Sequence, residues 1–268
     1  IMSITFPCIL GIIAMTANNV PIGIWTQNIS IIILLSFITI LPARYTEHTV
    51  NLNYKLVVIV SVILLLLPFL QNGSDEVHRW INVFLFSLNI SMIVVPITIV
   101  AIYNLLRNRQ TMFSLISIIV ISTILFLQPD ASQLTGFSIA ILLCLFNAQN
   151  LKVTNTISKI LISGILLVFT VLSWRFLDSL QAVNYVEGIF GMLSNISIAL
   201  YLLGLIAAVM IPVPFIIFST EKNNSISLCI ALYYWAIILS AFFGNFPIPF
   251  MGYGISPIIG YFILLWHY

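Results

Sequence analysis

The sequence predicts an all-α, polytopic integral membrane protein with about ten transmembrane helices, and three observations lead there. Only 6% of the 268 residues are charged, whereas a soluble domain carries roughly a quarter. Hydrophobic residues make up 61% of the chain, and they form continuous runs, which predict helices and not the alternating strands of a barrel. A bilayer core about 30 Å thick takes about 20 helical residues, so this length accommodates about ten crossings.

Each predicted crossing is an apolar run separated from the next by a short polar or Gly- and Pro-containing connection. Together they make residues 1–268 a single transmembrane domain. The ten predicted segments are residues 4–22, 28–43, 55–70, 89–106, 111–127, 132–150, 157–174, 189–218, 225–243 and 252–267.

The basic residues predict the orientation. With the N-terminus in the cytoplasm, seven of the nine Lys and Arg residues lie on the cytoplasmic side, and Arg79 and Arg175 lie outside. This bias is what the positive-inside rule expects, so both termini are predicted to be cytoplasmic. The outer connections are then 71–88, 128–131, 175–188 and 244–251. So few basic residues cannot form the positive stripe that nucleic acid needs, so nucleic acid is excluded as a partner.

The first outer connection carries Asp75, Glu76, His78 and Arg79 just before Trp80. The run 80–86 is too short and too mixed to cross a bilayer, and we predict an interfacial helix that leads into the fourth segment. The alternative is a solvated loop whose tryptophan lies among the lipid headgroups, as aromatic residues commonly do.

Two further outer connections each place a carboxylate at the membrane edge. Asp130 follows Gln128 and Pro129 at the start of the sixth segment, where a carboxylate is also favoured simply because a helix begins there. Glu187 directly precedes the eighth segment. It is either another helix-start charge or a carboxyl group whose pKa is raised at the membrane surface, which suits a general base.

The last outer connection has the composition of bent backbone. Residues 244–254 contain three Gly and two Pro, which cannot continue a helix. Non-helical backbone at the membrane edge is tolerated where it is buried in protein or lines a cavity.

Several residues inside the apolar runs are interpreted as structural. Cys8, Cys144 and Cys229 show neither disulfide nor zinc-site spacing, and we expect them to be small buried apolar side chains. Asn18 and Asn19 in the first segment are expected to form hydrogen bonds between helices.

The outer connections also carry short motifs in a recognisable order. The chain reads V-H-R-W-I at 77–81, F-S-L-N-I-S-M at 86–92, Q-P-D-A-S-Q at 128–133, I-P-F-M-G-Y-G-I at 248–255 and E-G-I-F at 187–190. They resemble, respectively, the G-x-R-R-W-I, F-S-L-Q-P-S-E, Q-P-D-x-G-T, L-P-F-I-S-Y-G-G and D-F-I-F strings of the shape, elongation, division and sporulation (SEDS) family, and the first four follow one another along the chain in the family's order. These are bacterial membrane proteins of cell shape and division. The chain departs from the family where Glu replaces the Asp of D-F-I-F and where the Gly-Thr after Q-P-D is missing.

The resemblance implies a peptidoglycan glycosyltransferase that polymerises lipid II, or another polyprenyl-diphosphate sugar, at the outer face of the bacterial cytoplasmic membrane. Glu187 corresponds to the family's catalytic carboxylate and is the implied general base. Arg79 is the implied cation for the diphosphate, because a fixed cation in a dry site stabilises the charge that develops on it. The implied substrate-binding residues are Arg79, Trp80, Gln128, Asp130 and Tyr253.

The resemblance also implies partners. Family members work beside a single-span class B penicillin-binding protein, which is a transpeptidase, and they are embedded in membrane lipid. Asp75, Glu76 and Asp130 supply oxygen ligands suited to a divalent cation such as Mg²⁺ or Mn²⁺, without requiring one.

Three other functions are weighed against this one. A non-catalytic scaffold with the same fold would bind the lipid-linked sugar without turnover, and the departures from the family strings favour it. A carrier that flips the lipid-linked precursor would need ionisable groups along the spans, and the sequence has none near mid-membrane. A respiratory subunit would need buried relays or haem ligands, and we reject it because the three His residues lie near segment ends.

Overall fold

The computed structural model describes eight stretches of the chain, and about 75% of those residues are helical. The described residues are 2–43, 52–71, 73, 77–84, 86–147, 155–177, 180–220 and 223–267. They contain twelve α-helices, one short 3-10 helix (Leu67–Leu70) and one two-stranded antiparallel sheet. The helices are α1 (Met2–Ala17), α2 (Ile22–Ala43), α3 (Tyr54–Leu66), α4 (Ile90–Arg107), α5 (Thr111–Leu127), α6 (Ala131–Asn147), α7 (Thr156–Arg175), α8 (Ile189–Ile196), α9 (Ile198–Met210), α10 (Val213–Ile217), α11 (Asn224–Ser240) and α12 (Ser256–His267), and the strands are β1 (Trp80–Val83) and β2 (Phe86–Asn89).

Each of the ten predicted segments contains an apolar helix. Helices α2, α4 and α7 are long and apolar enough to cross a membrane, judged over the described residues alone. The others are apolar but shorter, at 10–17 residues, or are the short helices α8 and α10. The fold is therefore mainly helical as predicted, whereas the ten crossings and the orientation stay predictions.

Apolar side chains cover the outside of the molecule and polar side chains lie within it. Phe37 on α2 and Leu167 and Val171 on α7 are among many large apolar side chains that are exposed. A protein surrounded by water rarely exposes such continuous apolar faces, whereas lipid contact favours them. Among the described residues, the buried amide and carboxylate side chains are Asn28, Asn89, Gln128, Asp130 and Gln133.

The core is built from closely packed helix pairs. The backbone of α12 approaches that of α4 so closely that a side chain at Gly260 would collide with the carbonyl oxygen of Met92. The pair α6 and α11 buries Cys144 against Cys229, with their sulfur atoms 3.1 Å apart. Cys8 is buried as well, and all three are free thiols, which confirms the structural interpretation of the cysteines.

The predicted interfacial helix at residues 80–86 is wrong, as is the expectation that the chain lacks strands. This run forms β1 and the start of β2, with Asn82 opposite Ser87. The Ser87 hydroxyl donates to Oδ1 of the Asn82 side chain at 2.6 Å. The backbone amide of Asn82 donates to Oε1 of Gln71 at 2.9 Å. The aromatic and β-branched residues of this run favour strands. The hydrogen bonds across the hairpin and at its edge stabilise the strands further.

The eighth predicted segment is not one continuous helix but divides into α8, α9 and α10. Ser197 has extended backbone, and its hydroxyl accepts a hydrogen bond from the Leu200 amide at 3.2 Å, so it caps a new helix. Pro212 lies between α9 and α10 and is the N-cap of α10, and Pro214 lies in the first turn of α10, where a helix needs no amide donor.

Within the described part of the chain, Asn18 does not form the expected interhelical hydrogen bond. Helix α1 ends at Ala17, and the Asn18 side chain donates to the Ala14 carbonyl of the same helix at 2.8 Å. The same carbonyl also accepts from the Asn18 backbone amide at 3.2 Å, so both bonds of Asn18 extend the end of its own helix.

A side-chain amide that does join distant elements is that of Asn28, in the second turn of the apolar α2. Its side chain donates to the Gly252 carbonyl at 3.0 Å and accepts from the Gly254 amide at 3.4 Å. It therefore replaces the two bonds that a neighbouring strand would make, and it holds the connection before α12 against α2.

Replacing Asn28 by Leu is expected to lower the free energy of unfolding by about 1–3 kcal/mol, because two buried backbone groups lose their partners. Unfolding by SDS in mixed micelles measures this change. The control is Thr26→Val, since among the described residues the Thr26 hydroxyl bonds within its own helix, to the Ile22 carbonyl. Equal stability of the Asn28→Leu variant and the wild type would contradict the role of Asn28 in holding the loop before α12 against α2.

Candidate functional site

A cavity of about 450 Å³ lies where three connections meet. These connections are the hairpin of β1 and β2, the loop before α8 and the loop before α12. Four residues that the sequence singled out line it together: Arg79, Trp80, Glu187 and Tyr253. We call it the first cavity, and its other lining residues include Asn82, Ser87, Asn89, Met92, Asn245, Gly252 and Ser256.

Arg79 is a buried cation on the wall of the first cavity, with 4% of its surface exposed. Its Nε donates to the Gln128 carbonyl at 3.4 Å, and a terminal nitrogen donates to the Pro129 carbonyl. The guanidinium also lies 5.5 Å from the ring centre of Phe246 and 5.7 Å from that of Trp80. Carbonyl oxygens and aromatic faces are both favourable neighbours of a guanidinium, so this group is held in place.

Gln128 and Asp130 lie behind Arg79 and do not belong to the lining of the first cavity. The Gln128 side chain donates to the Leu65 carbonyl at 2.7 Å. Asp130 is buried, with 2% of its surface exposed. Its carboxylate accepts from the Ser91 hydroxyl at 2.9 Å and from the backbone amide of Gln133 at 3.2 Å. The second of these bonds caps the start of α6, as the helix-start interpretation expects.

The charges around Arg79 balance one another in part. Burial lowers the pKa of the Arg79 guanidinium, and the negative charges of Asp130 and Glu187 act against that shift. An arginine in this setting remains protonated at neutral pH, because its ordinary pKa is so high. Arg79 is thus a permanent positive charge between a buried carboxylate and a carboxylate on the cavity wall.

Glu187 closes a turn in the loop before α8. Its Oε2 accepts from the Val183 amide at 2.8 Å, and its own amide donates to the Val183 carbonyl at 3.0 Å. Burial raises the pKa of the Glu187 carboxyl, whereas the backbone hydrogen bonds and the charge of Arg79 lower it. The net direction is upward, which makes the ionised group a better proton acceptor than an ordinary surface carboxylate.

Tyr253 joins the loop before α12 to the loop before α8. Its amide donates to the Tyr185 carbonyl at 2.8 Å, and the two rings pack edge to face with centres 6.2 Å apart. Its hydroxyl donates to Oε1 of Gln27 on α2 at 3.1 Å. Beside it, a side chain at Gly252 would collide with the Val186 carbonyl, so only glycine permits this approach.

Two helices begin at the wall of the first cavity. The backbone amide of Asn89 donates to the Ser256 hydroxyl at 2.8 Å, and this bond joins the start of α4 to the start of α12. Asn89, Met92 and Ser256 all line the cavity. The N-terminal end of a helix carries partial positive charge, so both helices favour an anion in this space, as does Arg79.

The sequence missed several residues that hold the site together. Asn28, Asn89, Ser91 and Ser256 connect the loops and helix starts, but none belongs to an acidic or basic cluster. Asn28 had the clearest signal, because a carboxamide within an apolar run needs a partner inside the protein. The serines had no such signal, since hydroxyl groups in helices commonly bond to their own backbone.

The described residues do not form a divalent-cation site. No group of three His, Cys, Asp or Glu side chains comes together within the described part of the chain. Glu187 is the single carboxylate among the described residues that line the first cavity, and one carboxylate fits such an ion poorly. Asp75 and Glu76, the other predicted oxygen ligands, lie outside the described residues.

Comparison of the sequence with models of known protein families finds no match, and comparison with curated proteins finds none either.

The pKa of Glu187 is expected to rise further in the Arg79→Met variant, because a positive charge that favours the ionised carboxylate is removed. Titration of ¹³C-labelled glutamate by NMR measures this pKa, with Glu187→Gln identifying the signal. Lys55→Met is the control, since Lys55 is a cation near Phe113 and away from the first cavity. An unchanged or lower pKa in Arg79→Met would contradict the electrostatic coupling.

Proposed function

We propose that this protein is a glycosyltransferase that polymerises a lipid-linked disaccharide, lipid II or a related polyprenyl-diphosphate sugar. The reaction takes place at the outer face of the bacterial cytoplasmic membrane, in cell shape or division. In this proposal the chain crosses the bilayer about ten times with both termini in the cytoplasm. Its working partner is a class B penicillin-binding protein with a single span.

One observation carries the proposal. The segments that resemble SEDS strings are far apart in the sequence, yet they meet around Arg79 and the first cavity. Arg79 of the first string bonds to the backbone of residues 128–129 in the third. Tyr253 of the fourth string and Glu187 line the same cavity. If the sequence matches were due to chance, the matched segments would have no reason to lie together. A common functional site explains why they do.

The groups in the first cavity suit glycosyl transfer from a diphosphate. Glu187 accepts the proton of the acceptor hydroxyl, whose oxygen attacks the anomeric carbon of the donor sugar. The bond between that carbon and the diphosphate oxygen breaks, and the polyprenyl diphosphate leaves with the electron pair. Arg79 and the N-terminal ends of α4 and α12 stabilise the negative charge that develops on the leaving group.

The surroundings of the first cavity suit a substrate with a polar head and a long apolar tail. Amide and hydroxyl side chains line the cavity, including Asn82, Ser87 and Asn245. Large apolar side chains cover the outside of the helices. A polyprenyl chain in the bilayer can therefore remain in contact with apolar surface while its diphosphate reaches Arg79.

A binding protein without turnover is the second candidate, and the bond from Val183 to Glu187 favours it. That amide occupies Oε2 of the carboxylate at 2.8 Å and stabilises its ionised form, which makes it a weaker base. Such a protein would hold the lipid-linked sugar in the same cavity and present it to a partner.

Glu187→Gln is expected to lower polymerisation of fluorescent lipid II by about 10²–10⁴-fold, the usual contribution of a general base. The assay uses the purified full-length protein with and without a cognate transpeptidase. Glu187→Asp is expected to retain part of the activity, because the carboxylate remains. Wild-type protein that binds lipid II and makes no polymer in either condition would contradict catalysis and favour the binding role.

Arg79→Met is expected to lower the same activity by weakening the hold on the diphosphate, with a loss of about 10²-fold or more. Arg175→Met is the matched control, since Arg175 ends α7 with an exposed side chain and does not line the first cavity. Equal losses in the two variants would show a general charge effect and contradict the role of Arg79.

A further inference from the structure

A second cavity, of about 320 Å³, lies on the other side of the loop that carries Glu187. It is formed between the end of α1, the loop before α8 and the first two turns of α8. Its lining is mainly polar and consists of Asn18, Val20, Asn184, Tyr185, Gly188, Gly191, Met192 and Asn195.

The chemistry of the second cavity differs from that of the first. No charged side chain is among its described lining residues, so it offers nothing to a diphosphate or a metal ion. It offers three carboxamides, from Asn18, Asn184 and Asn195, and each of these groups both donates and accepts hydrogen bonds. Such groups suit a ligand that also carries both functions without charge, as sugar hydroxyl and N-acetyl groups do.

The carboxamides of the second cavity are available to a ligand. Asn18 uses one amide hydrogen on the Ala14 carbonyl and keeps a second one. The side chains of Asn184 and Asn195 are exposed. A cavity of about 320 Å³ is at the small end of the range for small-molecule sites, which runs from about 300 to 1,000 Å³.

The loop before α8 forms a wall of both cavities. Val186 and Glu187 line the first cavity, whereas Tyr185 and Gly188 line the second. Residues that follow one another in the chain therefore line different cavities, so the same short stretch of backbone lies between the two spaces. Tyr185 is bonded through its carbonyl to Tyr253 of the first cavity, which fixes the position of this wall.

We propose that the second cavity is a binding site for an uncharged, N-acetylated sugar. This inference rests on the proposed function only for the ligand's role, which is that of the sugar unit next to the one that reacts at Glu187. The first cavity then holds the reactant that carries the diphosphate at Arg79, and the second holds a sugar of the growing chain. Two sites on either side of one loop suit a reaction that joins two sugars.

Gly191 allows the second cavity to be filled without disturbing the fold. A Cβ atom built at Gly191 meets no heavy atom within 4 Å, so a side chain there enters open space. Gly164 on α7 has the same property and lines neither cavity. Gly191→Met and Gly164→Met are therefore a matched pair, in which one variant fills the cavity and the other changes a helix elsewhere.

The test measures binding of chitotriose, a neutral trimer of N-acetylglucosamine, to the full-length protein in nanodiscs by saturation-transfer NMR. We expect wild-type protein to bind it and Gly191→Met and Asn195→Leu to weaken binding by about tenfold or more. Gly164→Met is expected to bind as the wild type does. The proposal would be overturned if the wild type did not bind chitotriose. It would also be overturned if Gly191→Met and Asn195→Leu bound chitotriose as strongly as the wild type.

A second probe separates this proposal from the proposed function. Binding of geranylgeranyl diphosphate is expected to be lost in Arg79→Met and retained in Gly191→Met. If chitotriose binds as expected and the diphosphate does not bind to the wild type, the sugar site stands and the proposed function fails. If the diphosphate binds through Arg79 and chitotriose does not bind, the sugar site fails and the proposed function stands.

Discussion

The burial of one cation, Arg79, organises this end of the molecule. Removing a charge from water is costly unless partners replace the water. The chain supplies these partners from two distant segments, through the carbonyl groups of residues 128–129 and the ring of Phe246, and from the ring of the neighbouring Trp80. Because the segments must meet to satisfy one guanidinium, the hairpin, the turn between α5 and α6 and the loop before α12 are fixed together.

The distribution of polar and apolar side chains supports the proposed membrane environment. Buried amides connect elements, while apolar side chains face outward on α2 and α7. In lipid the packing of close backbones and interhelical hydrogen bonds replace the hydrophobic effect as the source of helix association. Asn28 and Gly260 show the two means: Asn28 binds the backbone of a loop, and Gly260 lets α12 approach α4. The first cavity opens where these packed helices begin.

The sequence predicted what depends on local composition. The apolar runs located the helices, and the unusual residues of the outer connections located four members of the first cavity. It failed where contacts between distant residues decide the local structure. The hairpin depends on Gln71 meeting Asn82, and neither residue predicts the other. The position of Asp130 behind Arg79 and the presence of the second cavity depend on how the helices pack, which one sequence does not reveal.

The most direct test of the central claim is whether Arg79 touches a bound diphosphate. Solid-state NMR of protein labelled with ¹⁵N-arginine, in bilayers with geranylgeranyl diphosphate, measures the dipolar coupling between guanidinium nitrogen and phosphorus. We expect one arginine signal to be dephased by phosphorus, and we expect that signal to disappear in Arg79→Lys. Dephasing that persists in Arg79→Lys, or that is absent from the wild type, would contradict the account.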